Sequence, residues 1–193
     1  MGQFNEIKTH IRDILIQMID TKLEINPKKR FNRKFRMFLP NRKLIKTIID
    51  EGGVLAGSRA LRCYTINGKS FIDRKLSDWD FVVTKDQAIR IFAKSGIKWN
   101  LVDNVVSVKR QRVWVDSAYS GTYQIGPVNV QIIIKDELPP YEIKDKIRFS
   151  SISSIISEKM KLADCKCYAI NSCEHQKHRD DLTQFIINFQ SYK

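Results

Sequence analysis

The sequence predicts an α/β fold, because short apolar runs of strand character alternate with stretches whose apolar residues recur at helical spacing. Val54-Leu55-Ala56, Phe81-Val82-Val83 and Val128-Asn129-Val130-Gln131-Ile132-Ile133-Ile134 read as strands with little or no exposed face. Leu44-Ile45-Lys46-Thr47-Ile48-Ile49-Asp50-Glu51-Gly52 and residues 86–95 read as helices set between and after those strands. Of 193 residues 42% are hydrophobic, enough for one core with appendages and too few residues for two full domains.

The elements follow in order. Phe4, Ile7, Ile11, Ile14, Leu15, Met18, Ile19 and Leu23 form a helical stripe over residues 3–24 that ends before Asn26-Pro27. A basic arm follows, and Pro40-Asn41 opens a second helix stopped by Gly52-Gly53. After the 54–56 strand comes a Gly57-Ser58 turn and a helix opening at Arg59-Ala60-Leu61. Asn67-Gly68 is a hairpin signal, so the stretch between Ser58 and Asp78 is expected to form a small ribbon or lid. The Asp78–Val83 strand leads to the 86–95 helix, ended by Gly96. Val105-Val106-Ser107-Val108 and Arg112-Val113-Trp114-Val115 alternate as strands, and Gly121 is expected to turn before the Asn129 strand. Beyond Pro139-Pro140, helical spacing returns over Ser150–Tyr168 and Asp180–Phe189. The organisation expected is an N-terminal helix and arm (1–40), a core (41–140) and a C-terminal helical segment (141–193), together one compact unit.

Chemistry concentrates at Ser77-Asp78-Trp79-Asp80. Residues i and i+2 of a strand project from one face, so Asp78 and Asp80 converge. Two like charges so close call for a shared proton or a divalent cation with hard oxygen ligands. Gly57 permits a tight turn with close backbone approach, and the following helix start favours a phosphate, with Ser58 adding a hydroxyl.

This order of Gly-Ser turn and Asp-x-Asp strand resembles the DNA polymerase beta-like nucleotidyltransferase superfamily, over residues 44–135. The resemblance implies a mixed sheet flanked by helices. It also implies transfer of a nucleoside monophosphate from a nucleoside triphosphate to a hydroxyl, with Mg2+ or Mn2+ held by Asp78 and Asp80. Gly57 and Ser58 would hold the outer phosphates, and Arg59 or Lys75 would neutralise the leaving pyrophosphate. Lys177-His178-Arg179-Asp180-Asp181-Leu182 resembles a Lys-x-x-Lys-Asp-type segment that small members place near the nucleotide, which implies triphosphate contact by Lys159, Lys177 or Arg179. Read alone, each of those cations is a solvated helix face, and His178 is a helix-start side chain.

Two departures stand out. The stretch between Ser58 and Asp78 is longer than in compact members. The third carboxylate of the family, on a later strand, has no counterpart: the strand resembles the Glu-x-Gln strand of alarmone synthetases, with Asn129 where the acid would stand and Gln131 beyond it. Neither amide takes a proton, though an amide oxygen ligates magnesium. The two aspartates with metal-bound phosphates suffice, or Asp116 supplies the missing carboxylate, or the fold is catalytically silent and binds nucleic acid. Modification of another protein by nucleotide transfer is a further alternative.

A formal charge of +13, from 34 Lys and Arg against 21 Asp and Glu, points to a polyanionic partner, RNA or DNA. The basic residues Lys28, Lys29, Arg30, Arg33, Lys34 and Arg36 interleave with Phe31, Phe35 and Phe38, a mixture that suits phosphate contact and base stacking. The same phenylalanines stand at helical spacing and equally suit packing on the core. Cys165, Cys167, Cys173, His175 and His178 are zinc-type ligands at a spacing that fits zinc poorly, so reduced thiols are expected. Charges interrupt every apolar stretch, which excludes a membrane helix, and with no secretion signal the expected setting is cytoplasmic, in a bacterium or encoded by a virus. Met1-Gly2 is discounted as a myristoylation start because Glu6 stands where Ser or Thr is required.

Overall fold

The computed structural model describes residues 2–30, 39–74, 76, 78–95, 113–115, 119–125, 128–164 and 173–192. Within the strands and helices, the side chains of residues 2–5, 20, 30, 39–41, 78, 113–115, 119–125, 128–129 and 173–175 lie outside that description. The chain forms two units that are discontinuous in sequence. One comprises Met1–Arg30, Ala60–Arg74 and Ile152–Lys193, the other Phe31–Arg59 and Lys75–Ser151.

The second unit is built on a seven-stranded mixed sheet, so the α/β expectation holds. Its strands are β2 (Val54–Leu55), β5 (Asp78–Val83), β6 (Val113–Val115), β7 (Tyr119–Ile125), β8 (Val128–Ile134), β9 (Tyr141–Lys144) and β10 (Ile147–Ser150). Their order across the sheet is β6-β7-β8-β5-β2-β10-β9. β5 is central, parallel to β8 and antiparallel to β2. The run Phe81-Val82-Val83 is accordingly buried on both faces.

Helix α2 (Leu39–Asp50) stops as its glycines require. The N–H of Gly53 donates to Ile48 and that of Gly52 to Ile49, a Schellman closure with Gly52 at φ +80°. Helix α4 (Lys85–Ser95) opens with a reciprocal cap. The Gln87 N–H donates to Thr84 Oγ1, and Gln87 Oε1 accepts from the Thr84 N–H at 2.9 Å. Gln87 Nε2 also donates to the carbonyl of Glu51 at 3.0 Å, tying the start of α4 to the end of α2.

The first unit holds helices α1 (Gly2–Gln17), α5 (Ile152–Asp164) and α6 (Cys173–Tyr192) with a three-stranded sheet of β1 (Glu24–Ile25), β3 (Tyr64–Ile66) and β4 (Lys69–Ser70). Asn67 and Gly68 take φ of +50° and +73°, the paired left-handed residues of a tight hairpin turn. The expected ribbon therefore exists, and β1 joins β3 as its third strand. Phe71 packs against Phe185 with ring centroids 5.1 Å apart. The chain passes from the second unit into the first along α3 (Gly57–Cys63).

Several expectations need correction. Residues 141–150 are a β-hairpin of the sheet unit, not the beginning of a helical segment. Its turn uses Asp145 and Lys146 at φ +49° and +64°, without the glycine that would have advertised it. Gly121 is no turn: it lies inside β7, opposite Ile132 on one side and Val113 on the other. The first helix ends at Gln17, and a short 3-10 turn, Met18–Asp20, precedes β1. The last helix begins at Cys173, seven residues before the apolar spacing became visible at Asp180. The 105–108 strand, Gly96 and Phe31, Phe35 and Phe38 lie outside the described residues.

Candidate active site

The backbone joins the Gly-Ser turn to the aspartate strand. β2 and β5 are antiparallel with Leu55 opposite Phe81, and the next residue, Ala56, donates its N–H to the carbonyl of Asp80 at 2.8 Å. The chain then turns at Gly57, whose φ of +63° is left-handed. A Cβ at this position would lie 2.9 Å from Cγ of Asp80 and closer still to Oδ2. Glycine is thus required twice, by its own dihedral and by the carboxylate beside it. The Asp80 side chain is half-buried.

Position 78 precedes position 80 by two residues on β5 and belongs to the same strand face. On the far flank of β5, β8 runs parallel in a register that sets Asp78 opposite Asn129 and Asp80 opposite Gln131. The strand expected to carry the third carboxylate therefore does lie beside the aspartates. Four oxygen-bearing positions, 78, 80, 129 and 131, share one face next to a glycine turn.

This donor set fits a hard divalent cation. Its carboxylate and amide positions offer hard oxygen ligands, and Gly57 lets the backbone of the turn lie directly against the Asp80 carboxylate. Among the described residues no three Asp, Glu, His or Cys side chains group as a metal site. Magnesium needs fewer, since it commonly rests on one or two carboxylates, waters and substrate phosphates.

Ser58 is buried at 8% exposure in the first turn of α3, which opens at Gly57 rather than at Arg59. Arg59, expected to face pyrophosphate, is 4% exposed. Its Nη2 donates to the carbonyl of Leu76 at 3.1 Å, and its guanidinium lies 4.4 Å from the centroid of the Trp79 ring. The unit's interior employs this cation. Lys75, Asp116, Arg33, Lys34 and Arg36 lie outside the described residues. Lys28, Lys29 and Arg30 belong to a short 3-10 turn, Pro27–Arg30, of the helical unit, with Lys28 exposed and Lys29 half-buried.

No protein-family model matches the chain, and no curated protein does. Among solved structures it is similar to the crystal structure of JHP933 from Helicobacter pylori, at 18% identity and a TM-score of 0.43. The match covers 80% of this chain and 66% of that one, so this chain spans just under two thirds of that chain's length. A likeness so remote carries no argument.

The helical unit holds a second charged cluster that the sequence did not disclose. Asp181 of α6 is buried and accepts from Arg74 at 2.6 and 3.0 Å and from Lys159 at 2.6 Å. Lys159 is itself 3% exposed, which corrects its reading as a solvated helix position. Lys177 and Arg179 are half-buried on α6, and Arg179 Nη2 donates to the carbonyl of Ala163. His178 is held down to a pKa of about 3, first by burial and then by the charge of Lys159. An imidazole so held is neutral at physiological pH and a poor proton acceptor. Cys165 and Cys167, with the side chains of Cys173 and His175, lie outside the described residues. No described helix is long and apolar enough to cross a membrane.

Proposed function

We propose that the chain is a metal-dependent nucleotidyltransferase that moves a nucleoside monophosphate from a nucleoside triphosphate to an acceptor hydroxyl on RNA or another nucleic acid. The observation that carries this reading is the juxtaposition of Gly57 with Asp80 on one side of β5 and of Asn129 with Asp78 on the other. A glycine turn set against a carboxylate strand suits a metal-bound triphosphate, and the resemblance in motif order supports the same chemistry.

Asp78 and Asp80 would hold Mg2+ or Mn2+, which when bound neutralises phosphate charge and orients the phosphorus for in-line attack. Gly57 allows the triphosphate to approach the backbone, and the Ser58 hydroxyl contributes a hydrogen bond. Asn129 and Gln131 align the acceptor side through their amides. Neither accepts a proton, so the acceptor hydroxyl loses its proton to water or to a substrate phosphate. Transfer of this kind depends chiefly on positioning and charge neutralisation, and a dedicated base is dispensable. The net charge of +13 supports a nucleic-acid acceptor, and a cytoplasmic setting suits both substrates.

The test is incubation of the protein with each labelled nucleoside triphosphate, Mg2+ or Mn2+, and total RNA, alongside Asp78→Asn and Asp80→Asn. Label on RNA that falls at least about a hundredfold in either variant is the expected result. Full activity in Asp80→Asn would sink the assignment, and label on protein would redirect it to protein modification.

The amides at 129 and 131 favour a second reading, a silent nucleotidyltransferase fold that binds nucleic acid. It predicts no label, and binding that weakens steeply with salt yet is indifferent to Asp80→Asn.

A further inference from the structure

We infer that Arg59 is a positioning residue, which locks the Gly57-Ser58 turn to the aspartate strand by holding Leu76 and Trp79. The inference rests on the transfer reading for its consequence, but the grip itself is a matter of geometry within the sheet unit.

Arg59 adjoins Ser58 in α3 and is 4% exposed. Two of its partners flank Asp78 in sequence. Leu76, whose carbonyl accepts from Nη2 at 3.1 Å, lies two residues before Asp78, and Trp79 lies between Asp78 and Asp80. The guanidinium stands 4.4 Å from the Trp79 centroid, and Trp79 in turn stacks on Phe81 at 6.1 Å with 12° between the ring planes. Position 79 faces the side of β5 opposite to positions 78 and 80. Gly57 meets the strand at Asp80, whereas Arg59, two residues further along the chain, meets it at Trp79. The first turn of α3 therefore clasps both faces of one strand.

A buried guanidinium is a costly filler, since an apolar side chain of equal length would occupy the same volume without desolvation. What it offers is a rigid fork for the Leu76 carbonyl and a cationic plane for the indole. Lysine has the charge without the plane, and methionine has the length without either. The property held constant by this arrangement is the distance between phosphate turn and aspartate pair. In-line transfer is sensitive to that distance, with a displacement of about 1 Å costing about a hundredfold in rate.

Arg59→Lys and Arg59→Met, prepared in the full chain beside Asp80→Asn, test the inference by two readouts. In both Arg59 variants kcat should fall about 10- to 100-fold while KM for the triphosphate changes less than about threefold. Amide hydrogen exchange over residues 76–80 should quicken about tenfold, with Val82 and Val83 unchanged. Arg59→Met with wild-type kcat and wild-type exchange over 76–80 overturns the inference, as does exchange quickened uniformly across the unit. If Asp80→Asn retains full activity, the transfer reading falls, and exchange alone then decides whether Arg59 grips the strand. Should both variants fail to fold, Trp79→Phe removes the indole while keeping an aromatic ring. It should lower kcat about threefold to tenfold and loosen the same segment, and unchanged exchange there would likewise overturn the inference.

Discussion

Asp181 and Asp80 are both carboxylates that folding has drawn partly or wholly out of water, and the two units treat them in opposite ways. Asp181 has a side chain at 0% exposure, with Arg74 and Lys159 each within 2.6 Å. Its charge is engaged inside the helical unit, where it fastens α6 to α5 and to the irregular segment that follows the ribbon. Asp80 is half-buried with its carboxylate packed directly against the backbone of Gly57, and its register neighbour is an amide. A closed ionic knot holds a fold together. Two carboxylate positions on one strand face cost stability, and under the proposed transfer reading they are kept for the cation they bind.

The strongest way to break this comparison is to delete both carboxylates and compare stability. Asp181→Asn removes the carboxylate that faces buried Lys159 and half-buried Arg74 and should cost about 3–5 kcal/mol, read as a lowered urea midpoint. Asp80→Asn relieves repulsion with its strand neighbour and should leave stability within about 1 kcal/mol of wild type while abolishing transfer. Equal, small losses in both would mean that the Asp181 knot is not what holds the helices.

A smaller effect sharpens the site itself. Gly57 and Gly68 have similar left-handed φ, +63° and +73°, but a Cβ at Gly68 meets nothing within 4 Å. Gly68→Ala should therefore cost only the dihedral strain, about 1 kcal/mol, with transfer unchanged. Gly57→Ala carries the same strain and also displaces Asp80, so turnover should fall about a hundredfold. If the two alanines behave alike in a transfer assay, the contact between Gly57 and Asp80 has no catalytic meaning.

Much of the sheet unit's centre was legible because local rules decide it. Alternation set the faces of Asp78–Val83 and Val128–Ile134, and Gly52-Gly53 stopped α2 by a motif readable in two letters. The pairing of Asp78 with Asn129 was anticipated through the resemblance alone, since nothing local specifies which strands, some fifty residues apart, become neighbours. The hairpin of β9 and β10 escaped notice because four-residue strands carry weak periodicity and Asp145-Lys146 is an uncharacteristic turn pair. Lys159 and Arg59 misled for a shared reason. A cation in sequence reads as solvated or ligand-facing, and only tertiary contacts reveal an internal carboxylate, carbonyl or indole that receives it. The division into two units was equally hidden, because each draws on segments far apart in the chain.

The smallest expected effect bears on how tightly the helical unit's knot is closed. His178 adjoins that knot, and its pKa of about 3 reflects burial, the charges of Lys159 and Lys177 and, more weakly, Arg74, with Asp181 acting in the opposite sense. In the unfolded chain the imidazole titrates near 6.5. Below that pH the unfolded chain takes up a proton that the folded chain refuses, so the stability present above pH 6.5 is progressively lost as pH falls toward 3. The slope approaches about 1.4 kcal/mol per pH unit, or roughly 2–3 kcal/mol between pH 6.5 and 4.5. Carboxylates titrate at the lower end of this range, so the informative quantity is the difference between wild type and His178→Gln. Urea midpoints at pH 7.5, 5.5 and 4.5 should converge or cross as the pH falls, because only the wild type loses the histidine's contribution. Parallel lines would mean that His178 takes up its proton in the folded state as readily as in the unfolded one, and that water reaches the knot in the helical unit.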